Sequence, residues 1–181
     1  YQRVKDRLCA DIPYERLEEI YREKTSFACT ASFSSLLFYQ RRSLRRGGFF
    51  MRAPLDAGAD RTDLAWAVLA DIACSTHEQL QHLVELTGNE GGPILGCGGG
   101  FQSEALCQML SDLSGRELRL RAGFRQATVQ GLVTLCNDYL GEVPAKRDSA
   151  LKTYHPRTGQ LIHQYAPAWR EARDRANDIK A

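Results

Sequence analysis

Apolar residues recur at a helical period through the middle of the chain. Leu69, Ala73 and Leu80 lie on one face of a stretch that begins after Asp60, a residue able to cap a helix, and stops at Gly88. Glycine is common just after the last turn of a helix. The pattern therefore predicts one long helix between Asp60 and Gly88.

A short strand, a glycine turn and a second helix follow. Residues 93–97 form a brief apolar run bounded by glycines, as in a buried strand, and lead directly into the glycines of 98–100. Apolar positions over 103–114 share one face, and Gly115 stands at the expected C-terminal cap. This order predicts a strand that enters a helix through a tight glycine turn.

The next segment predicts another strand and a third helix. Residues 117–121 alternate charged and apolar positions, which favours an edge strand. Residues 126–140 carry one apolar stripe and end before Gly141, and Gly131 inside them indicates close helix packing. The stripe consists of Val129, Leu132, Val133, Cys136 and Leu140.

The flanking regions are less regular. Tyr14–Lys24 reads as a short amphipathic helix, and 25–59 as loops with at most short strands. The tail, 144–181, is expected on the surface, with a last helix from about Pro167 to Ile179. We therefore expect one α/β domain over 1–181, with a sheet covered by helices.

Length and charge narrow the function classes. The chain has 181 residues and a formal net charge of +2, so no general positive field favours nucleic acid or an anionic membrane. The one basic cluster, Arg41–Arg46, fits a solvated loop, although it could also meet phosphate. The first residues lack the apolar core of a secretory signal, so a cytoplasmic location is expected.

The cysteines and tryptophans indicate structural roles. The six cysteines are scattered without metal-ligand spacing, and we expect reduced, mostly buried thiols. Cys74 and His77 stand three apart on the predicted long helix, but no third ligand recurs nearby, so no metal site is predicted. Trp66 and Trp169 are interpreted as packing residues.

The glycine turn is the strongest candidate for chemistry. A strand that ends in glycines and enters a helix presents bare backbone N–H groups and a positive helix end, which suit an anion or a nucleotide. The same glycines could simply make a tight turn. No complete phosphate-loop or dinucleotide motif is present.

The wider context carries a family resemblance. Gly98–Gly115 resembles the G-G-G-x-x-S-x-x-x-x-Q-x-x-A-D-x-x-G adenosine segment of FGGY carbohydrate kinases, with Ser111 in place of the usual alanine. Ala127–Leu132 looks like the A-T-A-x-G-A helix of that family. The resemblance extends over 14–138 and points to the C-terminal, nucleotide-binding domain of a rhamnulokinase-like or xylulokinase-like enzyme.

The resemblance implies a fold, a reaction and a set of contacts. The fold would be part of an actin-like ATPase with RNase H-like domains, and the reaction would transfer the ATP γ-phosphate, with Mg²⁺, to a hydroxyl of a small sugar such as a pentulose or deoxyhexulose. Gly98, Gly99 and Gly100 would lie at the nucleotide, with Gly99 and Gly100 against its phosphates and ribose. Ser103 would face the adenine, or cap the following helix, or do both.

The catalytic base is not identified in the sequence. The family places it in a G-x-x-D segment upstream of everything matched here. Asp56 and Asp60 lie in the approach to the long helix, where capping explains Asp60 better. The alternative is therefore a noncatalytic nucleotide-binding or regulatory module without the base. A homodimer, formed through exposed sheet edges, is also expected.

Overall fold

The computed structural model describes four ranges of the chain, which belong to two compact units. The ranges are residues 1–33, 47–51, 59–142 and 150–178. The first unit comprises Tyr1–Glu90 and Arg157–Ala181, and the second comprises Gly91–Pro156. Within the described ranges, the first unit contains a two-stranded sheet and the second a three-stranded sheet.

In the part of the chain that the structure describes, the first unit contains four helices and two antiparallel strands. The strands lie in the region predicted to hold loops with at most short strands, and their register pairs Cys29 with Met51 and Ser32 with Gly48. The short amphipathic helix predicted over Tyr14–Lys24 is confirmed, and it spans Tyr14–Glu23. The elements are α1 (Gln2–Leu8), α2 (Tyr14–Glu23), β1 (Cys29–Ser32), β2 (Gly48–Met51), α3 (Arg61–Thr87) and α6 (Leu161–Asp178).

Helix α3 begins and ends where its sequence predicts. The Asp60 carboxylate accepts the backbone N–H of Asp63 while the Asp63 carboxylate accepts the backbone N–H of Asp60, which is a complete capping box. Gly88 closes the helix in the left-handed conformation at φ 65°. Lys24 pairs with Asp63 at 2.5 Å in a largely buried position and so ties the end of α2 to the start of α3.

Strand β1 forms the centre of the first unit. All four of its residues are buried, and α3 and α6 both pack against it. The Tyr165 hydroxyl, on α6, accepts the Ala31 amide of β1 at 3.0 Å and donates to the Ala67 carbonyl of α3 at 3.0 Å. Trp66 packs edge-on against the Tyr165 ring. One buried tyrosine therefore joins three elements, as a buried hydroxyl with both roles satisfied can.

The prediction for the last helix is wrong in its start and its position. Helix α6 begins at Leu161, so Pro167 lies inside the helix and not in its first turn. Tyr165 and Trp169 are fully buried, so this part of the tail is core and not surface. A proline removes one backbone hydrogen bond and can be tolerated when packing offsets the loss. The buried positions that continue across it are Ile162, Tyr165, Trp169 and Ala172.

The second unit is built around β4. Its strands are β3 (Ile94–Gly96), β4 (Leu118–Arg121) and β5 (Ala150–Tyr154), in the order β3-β4-β5, with β4 parallel to β3 and antiparallel to β5. The prediction of an edge strand over 117–121 is therefore wrong, because β4 is the central strand. Leu118 and Leu120 are buried and alternate with the exposed Arg119 and Arg121. This alternation shows that one face of the strand is covered, but it does not show where the strand lies in the sheet.

Two helices complete the second unit. Helix α4 (Glu104–Ser114) ends at Gly115 in the left-handed conformation and buries its apolar face, as predicted. Helix α5 (Ala127–Leu140) has the predicted bounds, but none of its residues is buried. A Cβ atom at Gly131 would meet nothing within 4 Å, so the predicted close packing is absent from the described part of the chain.

The structure tests the predictions for the tryptophans and cysteines, but not those for Arg41–Arg46 and Asp56. Trp66 and Trp169 are core residues, and four of the six free cysteines are buried, while Cys97 and Cys136 are exposed. The basic cluster Arg41–Arg46 and Asp56 lie outside the described residues. Among the helices that the structure describes, none has the length and apolar character needed to cross a membrane.

Candidate functional site

The strand, turn and helix around the glycines lie in the predicted order, but the predicted burial of the strand is wrong, because β3 lies at one edge of the described sheet and Leu95 is 51% exposed. Strand β3 ends at Gly96, Cys97 and Gly98 follow, and a 3₁₀ turn over Gly99–Gln102 delivers the chain to α4. Parallel pairing of β3 with β4 sets the direction of the strand, and the turn therefore emerges at its carboxyl end. In open α/β sheets this is the edge at which ligands bind.

Two of the glycines near the turn are required by the fold. A Cβ atom at Gly96 would lie 2.7 Å from Leu120 Cδ2 and 2.8 Å from Phe101 Cδ1, so any side chain there would force Leu120 or Phe101 to move. Gly98 has φ 98°, which a side chain strongly disfavours, and its amide donates to the Phe124 carbonyl at 2.7 Å. These two positions fix the path of the turn.

The other two glycines are not explained by packing. A Cβ atom at Gly99 would come no closer than 3.6 Å to Gln102 Nε2, and one at Gly100 would meet nothing within 4 Å. Neither residue has a positive φ. The space that a side chain would fill is open at both positions, and it gives a ligand direct access to the main chain.

Ser103 connects the turn to α4. Its hydroxyl oxygen accepts the Leu106 amide at 3.2 Å, which confirms the helix-capping role. The residue is 3% exposed, so the cap is made inside the protein. The predicted contact of Ser103 with adenine stays a prediction.

The electrostatics of the turn rest on backbone groups. Residues 98–103 contain no charged side chain, and the nearest in sequence, Glu104, pairs with Lys152. The Cys107 thiol donates to the Phe101 carbonyl at 3.4 Å. An anion at the turn would therefore meet N–H groups and the start of a helix and no lysine or arginine of the turn itself.

The acids near the start of α3 have structural partners. Asp60 accepts the amides of Thr62 and Asp63 at 2.7 and 3.1 Å and the Thr62 hydroxyl at 2.6 Å. The Thr62 hydroxyl, followed by the amides, lowers the pKa of Asp60, because hydrogen bonds to a carboxylate favour its charged form. Capping is thus the role of Asp60, and the catalytic base stays unassigned.

Two residues that stabilise the second unit were not predicted. The Ser111 hydroxyl lies 2.9 Å from the Arg116 carbonyl and 3.1 Å from the Tyr154 carbonyl of β5. The Arg116 guanidinium donates to the carbonyls of Gly91 and Gly92 at 2.7 and 2.9 Å. In the sequence, the contacts of Ser111 are signalled only by a serine where the family pattern has alanine.

The first unit contains a cavity that no sequence pattern indicated. Its volume is about 760 Å³, and it lies between the β1–β2 sheet and α6. Its walls combine aromatic side chains with hydroxyl, amide and charged groups. They include Phe27, Thr30, Phe50, Gln164, Glu171 and Arg175. The predicted nucleotide-binding residues belong to the second unit.

Comparison with known proteins gives one consistent family. Residues 17–137 match the model of the FGGY family of carbohydrate kinases, C-terminal domain. The protein named "Putative sugar kinase YoaC" of Bacillus subtilis (strain 168) is 31% identical over 173 residues, which cover 94% of this chain and 35% of that protein.

Solved structures of similar fold agree. Glycerol kinase of Plasmodium falciparum, solved with ADP, superposes with a TM-score of 0.74 at 18% identity, covering 98% of this chain and 36% of that one. Xylulose kinase from Rhodospirillum rubrum gives a TM-score of 0.65 at 13% identity, covering 98% and 35%. The chain therefore spans about a third of the length of these relatives.

Proposed function

Because this chain belongs to the FGGY family of carbohydrate kinases, we propose that it supplies the adenosine-binding part of an enzyme that phosphorylates a sugar hydroxyl with ATP. The observation that carries the proposal is the open space at Gly99 and Gly100, at the turn where the sequence resembles the family's adenosine segment. Family membership and the similarity to actin-like ATPase folds agree with the sequence predictions.

The glycines of the turn have two different roles, which are to fix the backbone path and to leave space for the ligand. Gly96 and Gly98 set the backbone path, and the main chain at Gly99 and Gly100 then lies against the phosphates and ribose of the nucleotide. Ser103 holds the first turn of α4 in place beside them. The glycerol kinase relative was solved with ADP, which supports a nucleotide as the ligand of this fold.

Magnesium would arrive with the nucleotide. Within the residues that the structure describes, no three His, Cys, Asp or Glu side chains are placed to hold a metal ion. Mg²⁺ is commonly held by substrate phosphates, water and one or two carboxylates, so a nucleotide at this turn can bring the ion without a dedicated cage. When bound, the ion would neutralise charge on the transferring phosphoryl group.

The substrate and the setting follow from the family in general terms. We infer a small sugar, such as a ketose or polyol, as the acceptor; no described residue selects among them. Use of ATP and the presence of free thiols support a cytoplasmic location.

A noncatalytic nucleotide-binding module is the second candidate. It is favoured by the structural engagement of Asp60 and Asp63, because neither is then available as a catalytic base and no other base is identified among the residues that the structure describes. Such a module would bind ATP at the same turn but would not transfer the γ-phosphate. Phosphate transfer to a panel of ketoses and polyols by the protein expressed from its whole gene separates the two candidates, because this chain spans about a third of its relatives and only a complete kinase gives product.

Calorimetric titration with ATP and ADP in the presence of Mg²⁺ tests the nucleotide site. We expect the chain to bind, and Gly99→Val and Gly100→Val each to weaken binding by at least about tenfold, since the added side chain would occupy the space of the ligand. Gly91→Val is the matched control, because Gly91 also has open space and no positive φ but lies outside the turn. It should bind like the unaltered chain.

Unfolding measurements distinguish a loss of nucleotide binding from a loss of folded protein. Gly99→Val and Gly100→Val should unfold close to the unaltered midpoint, whereas Gly98→Ala should lose about 1–2 kcal/mol because its φ is positive. Unchanged nucleotide affinity in both valine variants would overturn the assignment of the site. Absence of binding by the unaltered chain would contradict the proposed function for this chain.

A further inference from the structure

The glycine turn is hydrogen-bonded directly to a second turn of the same unit. The Gly98 amide donates to the Phe124 carbonyl at 2.7 Å. Phe124 begins the 3₁₀ turn Phe124–Gln126, which lies between β4 and α5. Gly123, just before it, has φ 76°, a value that favours glycine, as φ 98° does at Gly98. The two turns therefore lie side by side because of contacts made within the second unit itself.

Arg125 is the middle residue of the second turn. Its backbone nitrogen is attached to the carbonyl group that accepts the Gly98 amide, so its Cα atom lies a few bond lengths from the start of the glycine turn. Five bonds of about 1.5 Å separate that Cα from the guanidinium carbon, which gives an extended side chain a reach of roughly 6 Å. This reach is enough to bring the guanidinium group to a ligand at Gly99 and Gly100.

The positive charge of Arg125 is not used by another side chain of the described structure. Its guanidinium carbon lies over the Phe124 ring, 5.8 Å from the centroid, which is within the range of a cation–π contact. The residue is exposed and makes no ion pair with any residue that the structure describes. By contrast, Arg116 donates to two backbone carbonyls and Arg119 pairs with Glu117.

A nucleotide at the glycine turn would need such a charge. Residues 98–103 contribute backbone N–H groups and no cation, and the nearest lysine that the structure shows, Lys152, pairs with Glu104. Backbone groups and a helix end supply only partial charges, whereas a nucleotide diphosphate or triphosphate carries several full negative charges. An arginine can bind a phosphate group through two parallel hydrogen bonds, so it is well suited to this role.

We propose that Arg125 binds the phosphates of the nucleotide that occupies the glycine turn. The proposal rests on the proposed nucleotide site and adds to it a side chain from outside the glycine segment. Arg121, at the end of β4, is the other exposed arginine nearby, but it is less suitable. Gly96 faces Leu120, and neighbouring residues of a strand point to opposite faces, so Arg121 belongs to the face away from Gly96.

Calorimetric titration of the protein expressed from its whole gene, with ADP and with adenosine, tests the proposal. Arg125→Gln should weaken ADP binding at least about tenfold, because the phosphates lose a charged hydrogen-bond partner. Adenosine lacks phosphates, so its affinity should stay within about twofold. A purely structural role for Arg125 would weaken both ligands alike. Arg125→Lys keeps the charge and should weaken ADP binding less than Arg125→Gln does.

Arg121→Gln is the matched control, because it removes the same charge from an exposed position four residues away. It should leave ADP affinity within about twofold, since exposed charges without direct contact are screened. Equal losses in Arg121→Gln and Arg125→Gln would overturn the proposal in favour of a general positive field, and equal losses of ADP and adenosine binding would overturn it in favour of a structural role.

The same titrations separate this proposal from the proposed nucleotide site. Unchanged ADP affinity in Arg125→Gln, together with weakened binding in Gly99→Val, would overturn the role of Arg125 and leave the glycine turn as the site. Absence of ADP binding by the unaltered protein would contradict both.

Discussion

Asp71 of α3 and Trp169 of α6 are joined by a hydrogen bond of 2.6 Å from the indole N–H to Oδ1, across 98 residues of sequence. The other carboxylate oxygen accepts the Phe33 amide just beyond β1 at 3.0 Å. Asp71 is 1% exposed. One buried carboxylate thus joins the two helices that pack on β1 to the end of that strand, and its lone pairs are used by donors from both sides.

Replacing Asp71 by asparagine should destabilise the first unit by about 2–3 kcal/mol, because the amide group turns a donor toward one of two N–H groups and leaves it buried without an acceptor. Urea unfolding at neutral pH, followed by tryptophan fluorescence, measures the loss. Asp174→Asn, an exposed position on the same helix, is the control and should unfold at the original midpoint. Equal midpoints for the two variants would contradict the role given to Asp71.

Local sequence rules predict the start and end of single elements well. Asp60 and Gly88 define α3 because a capping carboxylate and a left-handed glycine act within one turn of the helix. The strand, glycine turn and helix around Gly98 follow for the same reason. In the candidate site, the glycines and the cap at Ser103 are visible in the sequence, since each is a local backbone requirement.

Properties that depend on distant partners are not visible in the sequence. Helix α6 crosses Pro167 because Tyr165 and Trp169 find buried hydrogen-bond partners about a hundred residues away. Strand β4 is central because β5 pairs with it from beyond residue 149. The stripe on α5 predicts an apolar face, but the described structure leaves that face exposed, because periodicity defines a face without its partner.

The capping box at Asp60 should make stability depend on acid pH. Hydrogen bonds from the Thr62 hydroxyl and the helix amides lower the pKa of Asp60 below its ordinary 3.8. A lowered pKa in the folded state means that this contribution is fully present above about 3.8 and is lost as the pH falls through the folded value. Asp60→Asn keeps a capping side chain and should flatten the acid limb of the stability profile.

Comparing Asp60→Ala with Asp60→Asn separates the contribution of the capping hydrogen bonds from that of the negative charge. It removes the acceptor altogether and should cost about 1 kcal/mol at neutral pH, while Asp60→Asn should cost less. Chemical unfolding at a series of pH values measures both effects. An acid limb that keeps its slope in the asparagine variant would show that other carboxylates determine it.

His77 should produce a second pH dependence at milder acidity. Burial lowers the pKa of His77 below its ordinary 6.5, and Nδ1 is buried without a hydrogen-bond partner among the described residues. At pH values between the folded pKa and 6.5, the unfolded chain binds the proton more readily than the folded chain does. The free energy of unfolding therefore decreases as the pH falls from about 7 toward the folded pKa. The slope from one proton is at most about 1.4 kcal/mol per pH unit.

His77→Gln should remove this slope on the acid side of about pH 7, as measured by urea midpoints at closely spaced pH values. His82→Gln is the matched control on the same helix, because its ring is partly exposed and faces Glu85, and its removal leaves His77 in place. Equal slopes in the two variants would mean that burial of His77 does not govern stability in this range.

Ser111 gives a reason for the one departure from the family's adenosine segment. Its hydroxyl is fully buried and lies within hydrogen-bonding distance of the carbonyls of Arg116 and Tyr154. It therefore joins α4 to the residues that precede β4 and to β5. Ser111→Ala restores the residue usual in the family but removes the donor, and the free energy of unfolding should fall by about 1 kcal/mol. Ser114→Ala is the control, since that hydroxyl bonds only around the C-terminal end of α4, where it donates to the Ser111 carbonyl at 3.2 Å and accepts the Arg116 amide at 3.3 Å. Because Ser111 lies well along α4 from the glycine turn, nucleotide affinity should be unchanged. A gain in stability on substitution would show that the two carbonyls are satisfied without the serine, and that its presence has no structural reason.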